Sequence, residues 1–167
     1  KGHQRVIAAL PMVQEQVPDV RLRIVGVGPY ESTLQKMARE LGVAGRVEIR
    51  PVPPGDDGAM AALIRQANLV TLLSEHEAQG IAVLEALALR RPVLVANSTA
   101  LQDFVDLGLA RGVPLESHSE AVAEAIVKQL REPLIPPDVE LPTWDDCAAK
   151  LLALYQDVAG RRRRCVS

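Results

Sequence analysis

The feature that most constrains the fold is a regular alternation of strand-like and helix-like segments, joined by short turns that contain Gly or Pro. This alternation is typical of a parallel sheet covered by helices. Two of the strand-like runs, Leu69–Leu73 and Val93–Ala96, are almost continuously apolar, as expected for strands buried on both sides. We therefore predict an α/β fold with helices on both faces of the sheet. The other predicted strands are Arg21–Gly26, Val47–Arg50 and Val113–Leu115.

Helical periodicity is clearest in four segments. In Glu31–Leu41 the apolar residues recur at i, i+3, i+4 and i+7, and Gln4–Gln16 also has a helical pattern. A further helix is expected from Gly80 to about Leu89. Near the end of the chain, Trp144–Tyr155 has an apolar stripe of the same period, which predicts a helix with one buried face. Before it, the proline-rich stretch Pro133–Pro137 predicts an extended linker.

The composition fits one soluble globular domain. The chain has 167 residues, of which 48% are hydrophobic and 24% charged, and a core of this size needs no metal or disulfide to hold it. The two cysteines make a poor disulfide framework and favour a reducing, cytoplasmic location. No run approaches the roughly 18 to 20 uncharged apolar residues of a membrane span, and no secretory signal is recognisable. We therefore expect no transmembrane segment.

Charge is unevenly distributed along the chain. The formal net charge is −2, yet four consecutive arginines stand at 161–164 without an acidic neighbour. The rest of the chain is therefore more acidic than the total suggests, which argues against a nucleic-acid partner. We predict one domain over residues 1–160 and a basic tail at 161–167. The tail is either a solvated end or a peripheral contact with a membrane surface.

Ligands of open parallel sheets bind beyond the carboxyl ends of the strands. After the first predicted strand comes a turn with Gly26 and Gly28, where backbone amides can approach a ligand and the next helix favours an anion. A dinucleotide fingerprint requires a third glycine where Glu31 stands, so NAD is disfavoured. The alternative interpretation is a tight strand-to-helix turn without a ligand.

A second candidate site follows the strand that ends at Leu73. Glu77 and Glu85 stand eight residues apart, the first in a loop and the second inside a helix. Gly80 at the helix entrance leaves the amides around Ile81 open to a phosphate, and Glu85 is placed to accept hydrogen bonds from two adjacent hydroxyls. The alternative is a solvent-facing glutamate, although its apolar neighbours leave little exposed polar surface around it.

Lys1 is a third candidate, because a lysine at a helix entrance can neutralise a phosphate oxygen. The histidines at 3, 76 and 118 lack the spacing of metal ligands. We expect them to be structural or solvated, and we predict no metal site.

In their order and spacing these segments resemble the carboxyl-terminal half of the retaining nucleotide-sugar glycosyltransferases of family 4 (group 1), which have the GT-B fold. The resemblance covers almost the whole chain and includes the pair Glu77 and Glu85, which matches the family's Glu-x7-Glu motif. It implies one Rossmann-like half of a two-domain enzyme, with a first strand and an amino-terminal acceptor-binding domain outside this sequence. The other matching segments are Lys1–His3, Leu22–Pro29, Ala86–Ala88, Pro92–Val93 and Trp144–Tyr155.

The resemblance also implies roles for single residues. Lys1 contacts the diphosphate of the donor, Glu85 holds the ribose hydroxyls, and Glu77 is the catalytic residue that faces the donor hexose. The amides near Gly80 and Ile81 cap the diphosphate. No metal cofactor is expected, and retention of anomeric configuration is likewise implied by the family. The remaining donor-binding positions are Gly26, Gly28 and Val52, the last in the stretch expected beside the nucleobase.

Three positions depart from the family pattern. Gln79 stands in place of an aromatic residue, Arg90 in place of a glycine, and Ser98–Ala100 in place of a Gly-Gly turn. The donor sugar therefore stays open. The function implied is the donor-binding half of an enzyme that moves a hexose from a nucleotide carrier to an acceptor, inactive as an isolated piece. The alternatives are half of a nucleotide-sugar epimerase, or a non-catalytic nucleotide-binding or scaffolding module.

Overall fold

The computed structural model describes residues 1–53, 55–139, 141 and 143–164, with side chains described as far as residue 160. Within these residues, five strands alternate with seven α-helices. The strands are β1 (Leu22–Val25), β2 (Val47–Arg50), β3 (Val70–Leu72), β4 (Val93–Asn97) and β5 (Arg111–Pro114). The helices are α1 (His3–Gln16), α2 (Glu31–Glu40), α3 (Asp57–Gln66), α4 (Ile81–Ala88), α5 (Leu101–Asp106), α6 (Ser119–Arg131) and α7 (Trp144–Arg164), and a 3-10 turn at Ala44–Arg46 precedes β2.

Every predicted strand is present, with its ends within two residues of the predicted bounds. All recorded pairings are parallel, which confirms the α/β fold class. The strands form two sheets rather than the single sheet that we predicted. One pairs β1 with β2, and the other places β4 between β3 and β5.

The central strand β4 is buried on both faces. Val93 and Val95 pack with α4 and α5 on one side, whereas Leu94 and Ala96 pack with α1 and α6 on the other. All four side chains are fully buried. The continuous apolar run therefore has the cause we expected, since alternate residues of a strand point to opposite faces and both faces are covered here.

Helix α1 joins the two sheets. Its Val6 and Val13 belong to the core cluster that contains β4, whereas its Ile7 and Leu10 pack against β1 and α2. Adjacent positions of a helix point in different directions, so one helix can present two apolar surfaces. The two strand groups are thus held together by side-chain packing on α1.

The last helix differs from the prediction. The linker at Pro133–Pro137 is irregular as predicted, with Pro136 buried, but every described side chain of α7 is exposed, including Trp144 at 90%. The predicted buried face is therefore wrong, because periodicity specifies an apolar stripe without specifying a surface to cover it. The helix also continues to Arg164, through the first part of the expected tail, and residues 165–167 lie outside the described residues.

None of the helices in the described ranges combines the length and the apolarity that crossing a membrane requires.

Candidate functional site

The start of α1 lies directly against the end of β3. Gly2 caps α1 with a φ of 78°, and a Cβ atom at this position would overlap the backbone of Leu73. Only glycine tolerates both the left-handed conformation and this close approach. The sequence therefore places Lys1 beside the loop that connects β3 to α4.

Lys1 and Glu77 form an ion pair in which Nζ and Oε2 are 2.6 Å apart. The hydroxyl of Ser74 also donates to this carboxylate, at 3.3 Å. The pKa of Glu77 is held below its ordinary value, chiefly by the hydrogen bond from Lys1, with the lysine's charge and Ser74 adding to the effect against the opposing influence of burial. The side chain of Glu77 is only 13% exposed and that of Lys1 is 58% exposed, so solvent or a ligand can reach the lysine.

The backbone of Glu77 is held by the turn between β4 and α5. The hydroxyl of Thr99 accepts a hydrogen bond from the Glu77 N–H and donates to the Glu77 carbonyl, with both distances 2.9 Å. The N–H of Ala100 donates to the same carbonyl, and the hydroxyl of Ser98 donates to the carbonyl of Ser74. Sequence reasoning did not find these contacts, although it singled out this turn as a departure from the Gly-Gly pattern.

The amino end of α4 presents free amides. Gly80 takes a left-handed conformation with φ 71°, and its carbonyl accepts from the N–H groups of Val83 and Leu84. In the described part of the chain, the N–H groups of Ile81 and Ala82 have no recorded partner. Helix N-termini with free amides attract anions, so the geometry suits the phosphate contact expected at Gly80 and Ile81.

Glu85 lies a little over one turn into α4, on its exposed side. This exposure agrees with the solvent-facing alternative, because the apolar neighbours Val83, Ala86 and Leu87 are buried in the core and leave Glu85 at the surface. Its carboxylate has no hydrogen-bond or ion-pair partner among the described residues. The group is thus free to accept hydrogen bonds from water or from a ligand.

A cavity of about 650 Å³ opens beyond the carboxyl end of β1. Its lining includes Lys1, Gly26 and Gly28 as predicted, together with His3 and Tyr30, which were not predicted as site residues. Burial is the main cause that lowers the pKa of His3, and the charge of the Lys1 side chain also lowers it, which favours the neutral imidazole. The sequence offered no role at the site for either residue: His3 was expected to be structural or solvated, and Tyr30 lies just beyond the matching segment Leu22–Pro29.

The other predicted positions are not among the residues that line this cavity. Val52 is half-buried two residues after β2, and the carbonyl of Arg50 accepts a hydrogen bond from the Gly26 N–H at 3.2 Å. Gly80 is the N-cap of α4, Ile81 is its first residue, and Glu85 lies a little over one turn further along. Lys1 lines the cavity and pairs with Glu77, so it connects the cavity with the loop that leads from β3 to α4.

The described residues contain no group of three or more His, Cys, Asp and Glu side chains able to hold a metal ion. The charges at the site are those of Lys1, Glu77, Glu85 and the free amino end of α4, together with Glu31 in the lining of the cavity.

Comparisons with known proteins agree with this architecture. A curated mannosyltransferase of Mycolicibacterium smegmatis, named GDP-mannose-dependent alpha-(1-6)-phosphatidylinositol monomannoside mannosyltransferase, is 36% identical over 143 residues, which make up 80% of this chain and 36% of that protein. The crystal structure of WaaG, a glycosyltransferase involved in lipopolysaccharide biosynthesis, is similar with a TM-score of 0.69 and 26% identity, over 80% of this chain and 36% of that one.

A third similar structure is the C-terminal domain of a glycosyl transferase group 1 family protein from Francisella tularensis. It has a TM-score of 0.67 and 21% identity, over 79% of this chain and 70% of that one. The present chain thus spans about a third of the curated relative's length. The family model for glycosyl transferases group 1 matches residues 1–141. The chain belongs to the group 1 glycosyl transferase family.

Proposed function

We propose that the chain is the donor-binding half of a retaining glycosyltransferase and that it binds a nucleoside diphosphate sugar between the glycine-lined cavity and α4. The observation that carries the proposal is the position of Lys1, which lines the cavity and pairs with Glu77 at 2.6 Å. One cation thereby connects the cavity with Glu77, the residue that the family pattern places beside the donor sugar.

In this proposal the diphosphate replaces Glu77 as the partner of Lys1. The exposed ammonium group neutralises phosphate oxygens, and the free amides of Ile81 and Ala82 face them from the end of α4. These groups are fixed in place before the sugar leaves, so they stabilise the negative charge that develops on the diphosphate. A lysine and a helix end supply this stabilisation without a metal ion. Glu77, released from Lys1, faces the hexose.

The nucleoside occupies the outer parts of the site. The free carboxylate of Glu85 accepts hydrogen bonds from the two ribose hydroxyls, and the base lies near Val52 at the end of β2. The curated relative is named for GDP-mannose, which makes this the first donor to test. We propose that the acceptor binds to an amino-terminal domain and that the enzyme works in the cytosol, where the exposed thiol of Cys147 stays reduced.

Calorimetric titration of this chain with GDP, UDP and ADP tests the proposal. We expect one of the three nucleotides to bind, and we expect Lys1→Ala to weaken that binding by about tenfold or more, because a charge-assisted contact with phosphate is lost. Lys36→Ala is the matched control, since Lys36 is an exposed lysine on α2 whose ion-pair partner among the described residues is Glu40. Binding of none of the nucleotides, or equal weakening by both substitutions, would contradict the proposal.

The same titration tests the alternative of a scaffolding module. The residues that depart from the family pattern at Arg90 and Thr99 both take the left-handed conformation that glycine favours, with φ 53° and 43°. The backbone path is therefore kept although the residue types differ, which supports a working pocket. A scaffolding module with a degenerate pocket would bind no nucleotide.

A further inference from the structure

Thr99 adopts a strained backbone conformation beside the proposed donor site. Its φ of 43° lies in the left-handed region, which β-branched residues avoid. Among the described residues, the other non-glycine residue with positive φ is Arg90, which follows the C-cap of α4 and whose N–H donates to the carbonyl of Leu87, as is typical of a helix terminus. Thr99 ends no helix. Strain of this kind persists where the surrounding contacts compensate for it, and it concentrates at functional sites.

The contacts that compensate are made to Glu77. The Thr99 hydroxyl binds both the N–H and the carbonyl of Glu77 at 2.9 Å, across 22 positions of sequence. Glycine at this position would relieve the strain and lose both hydrogen bonds. Thr99, in the turn that stands in place of the family's Gly-Gly turn, thus has a strained backbone but makes two direct hydrogen bonds to Glu77.

We propose that Thr99 is a positioning residue that fixes the peptide groups of Glu77 and thereby aims its carboxylate at the sugar of the donor. This inference rests on the proposed function.

The other contacts of Glu77 show why the hydrogen bonds from Thr99 are needed. The residue lies in a loop without regular secondary structure, and its carboxylate is held by Lys1 and by the longer hydrogen bond from Ser74. When the diphosphate takes Lys1, the ion pair is lost at the moment when the carboxylate must be in place. The two hydrogen bonds from Thr99 act on the backbone, so they survive that exchange.

Three variants separate the hydroxyl from the shape of the side chain. Thr99→Val keeps the β-branched shape and removes the hydroxyl, Thr99→Ser keeps the hydroxyl, and Thr99→Ala removes both with the least steric demand. The ligands are GDP with GDP-mannose and UDP with UDP-glucose. We expect Thr99→Val and Thr99→Ala to lower the affinity for the nucleotide sugar about three- to tenfold relative to the bare nucleotide, because a displaced Glu77 loses part of a charged hydrogen bond. Thr99→Ser should restore the wild-type ratio.

The pKa of Glu77, measured by NMR titration without any nucleotide, is the second readout. Loss of the Thr99 hydroxyl should loosen the ion pair with Lys1 and raise the Glu77 pKa toward its ordinary value, and Thr99→Ser should keep it low. Thr143→Val is the matched control, since its hydroxyl binds Asp146 at 2.7 Å. This control should raise the pKa of Asp146 and leave that of Glu77 unchanged.

The outcomes for Thr99 and for the proposed function are distinct. If wild type binds no nucleotide, the proposed function fails and the pKa of Glu77 alone decides the role of Thr99. If nucleotides bind, and Thr99→Val changes neither the affinity ratio nor the Glu77 pKa, the proposed function stands and the role of Thr99 is overturned. Failure of Thr99→Ser to restore either quantity would also overturn it, because the effect would then come from side-chain shape.

Discussion

At the residue scale, the two glutamates of the Glu-x7-Glu motif have opposite surroundings. Glu77 is nearly covered and paired with Lys1, whereas Glu85 is exposed and has no partner in the described part of the chain. A carboxylate that is already paired must exchange its partner before it can meet a ligand. A free carboxylate needs only to release water, so Glu85 gives the cleaner test of nucleotide binding.

We expect Glu85→Ala to lower the affinity for the bound nucleotide by about 10- to 100-fold, because hydrogen bonds to a charged group contribute roughly 1.5 to 3 kcal/mol. Folding should be unaffected, since alanine favours helices and the carboxylate makes no contact within the described residues. The measurement is calorimetric titration beside thermal unfolding. Glu124→Ala is the matched control, an exposed glutamate on α6 that should leave nucleotide affinity unchanged.

A 2′,3′-dideoxynucleotide tests the assignment to ribose. It should bind wild type weakly, and Glu85→Ala should hardly alter that binding. Equal loss of ribonucleotide and dideoxynucleotide affinity in the variant would show that Glu85 acts through the helix or the phosphates instead.

The ion pair at Glu77 predicts a dependence of stability on pH. Its folded-state pKa is lowered from 4.5, mainly by Lys1, so the pair stabilises the fold above about pH 4.5. This contribution is lost as the pH falls through the lowered pKa. We expect Lys1→Ala to raise the Glu77 pKa toward 4.5 and to flatten the acid side of the stability curve. NMR titration and chemical denaturation between pH 3 and 7 measure the two effects, and an unchanged pKa in Lys1→Ala would contradict the pairing.

At the element scale, the carboxyl end of α4 shows how a helix can end without glycine. The N–H of Arg90 donates to the carbonyl of Leu87, and the N–H of Arg91 donates to that of Ala86, both at 2.9 Å. These two bonds define a Schellman motif, whose first residue beyond the cap is left-handed. The φ of 53° at Arg90 agrees with that geometry, and the helix ends next to Leu89 as the sequence predicts.

We expect Arg90→Gly to stabilise the fold by roughly 0.5 to 1 kcal/mol. Glycine removes the left-handed strain, and its greater freedom in the unfolded chain offsets part of the gain. The ion pair between Arg90 and Asp138, at 3.4 Å between exposed side chains, adds little. Arg90→Ala removes that ion pair and keeps the strain, so only the glycine variant should raise the denaturation midpoint. Equal midpoints for the two variants would mean that the strain has no measurable cost.

At the scale of the whole molecule, α1 packs on both sheets, and its amino end places Lys1 beside Glu77. The same helix that joins the two strand groups thus sets the distance between the cavity and α4. In the proposed complex the diphosphate meets a lysine and two free amides, and the described residues offer no metal cluster.

Nucleotide binding should therefore survive chelation of divalent metals. We expect the same affinity in the presence and absence of EDTA, because Lys1 and the α4 amides face the phosphates directly. Titration in EDTA, in Mg²⁺ and in Mn²⁺ makes the comparison. Affinity that disappears on chelation and returns with either metal would show that a cation completes the site.

The sequence by itself determined the strands, the apolar periodicity of the predicted helices and the end of α4. It also determined the Glu-x7-Glu motif with Gly80 between its two glutamates. These features are local, because side-chain period and backbone preference act over a few residues. It did not determine which surfaces would be covered. The apolar stripe of α7 was predicted as buried and is exposed, since no described surface covers it.

The tertiary structure alone decided which residues meet. Lys1 and Glu77 are 76 positions apart, and Thr99 and Glu77 are 22 apart. Neither contact follows from the spacing of the residues, because both depend on which strand ends lie side by side and on how closely α1 approaches β3. The division of the strands into two sheets and the cavity beside β1 have the same origin. Each is fixed by packing between segments whose local patterns carry no information about their neighbours.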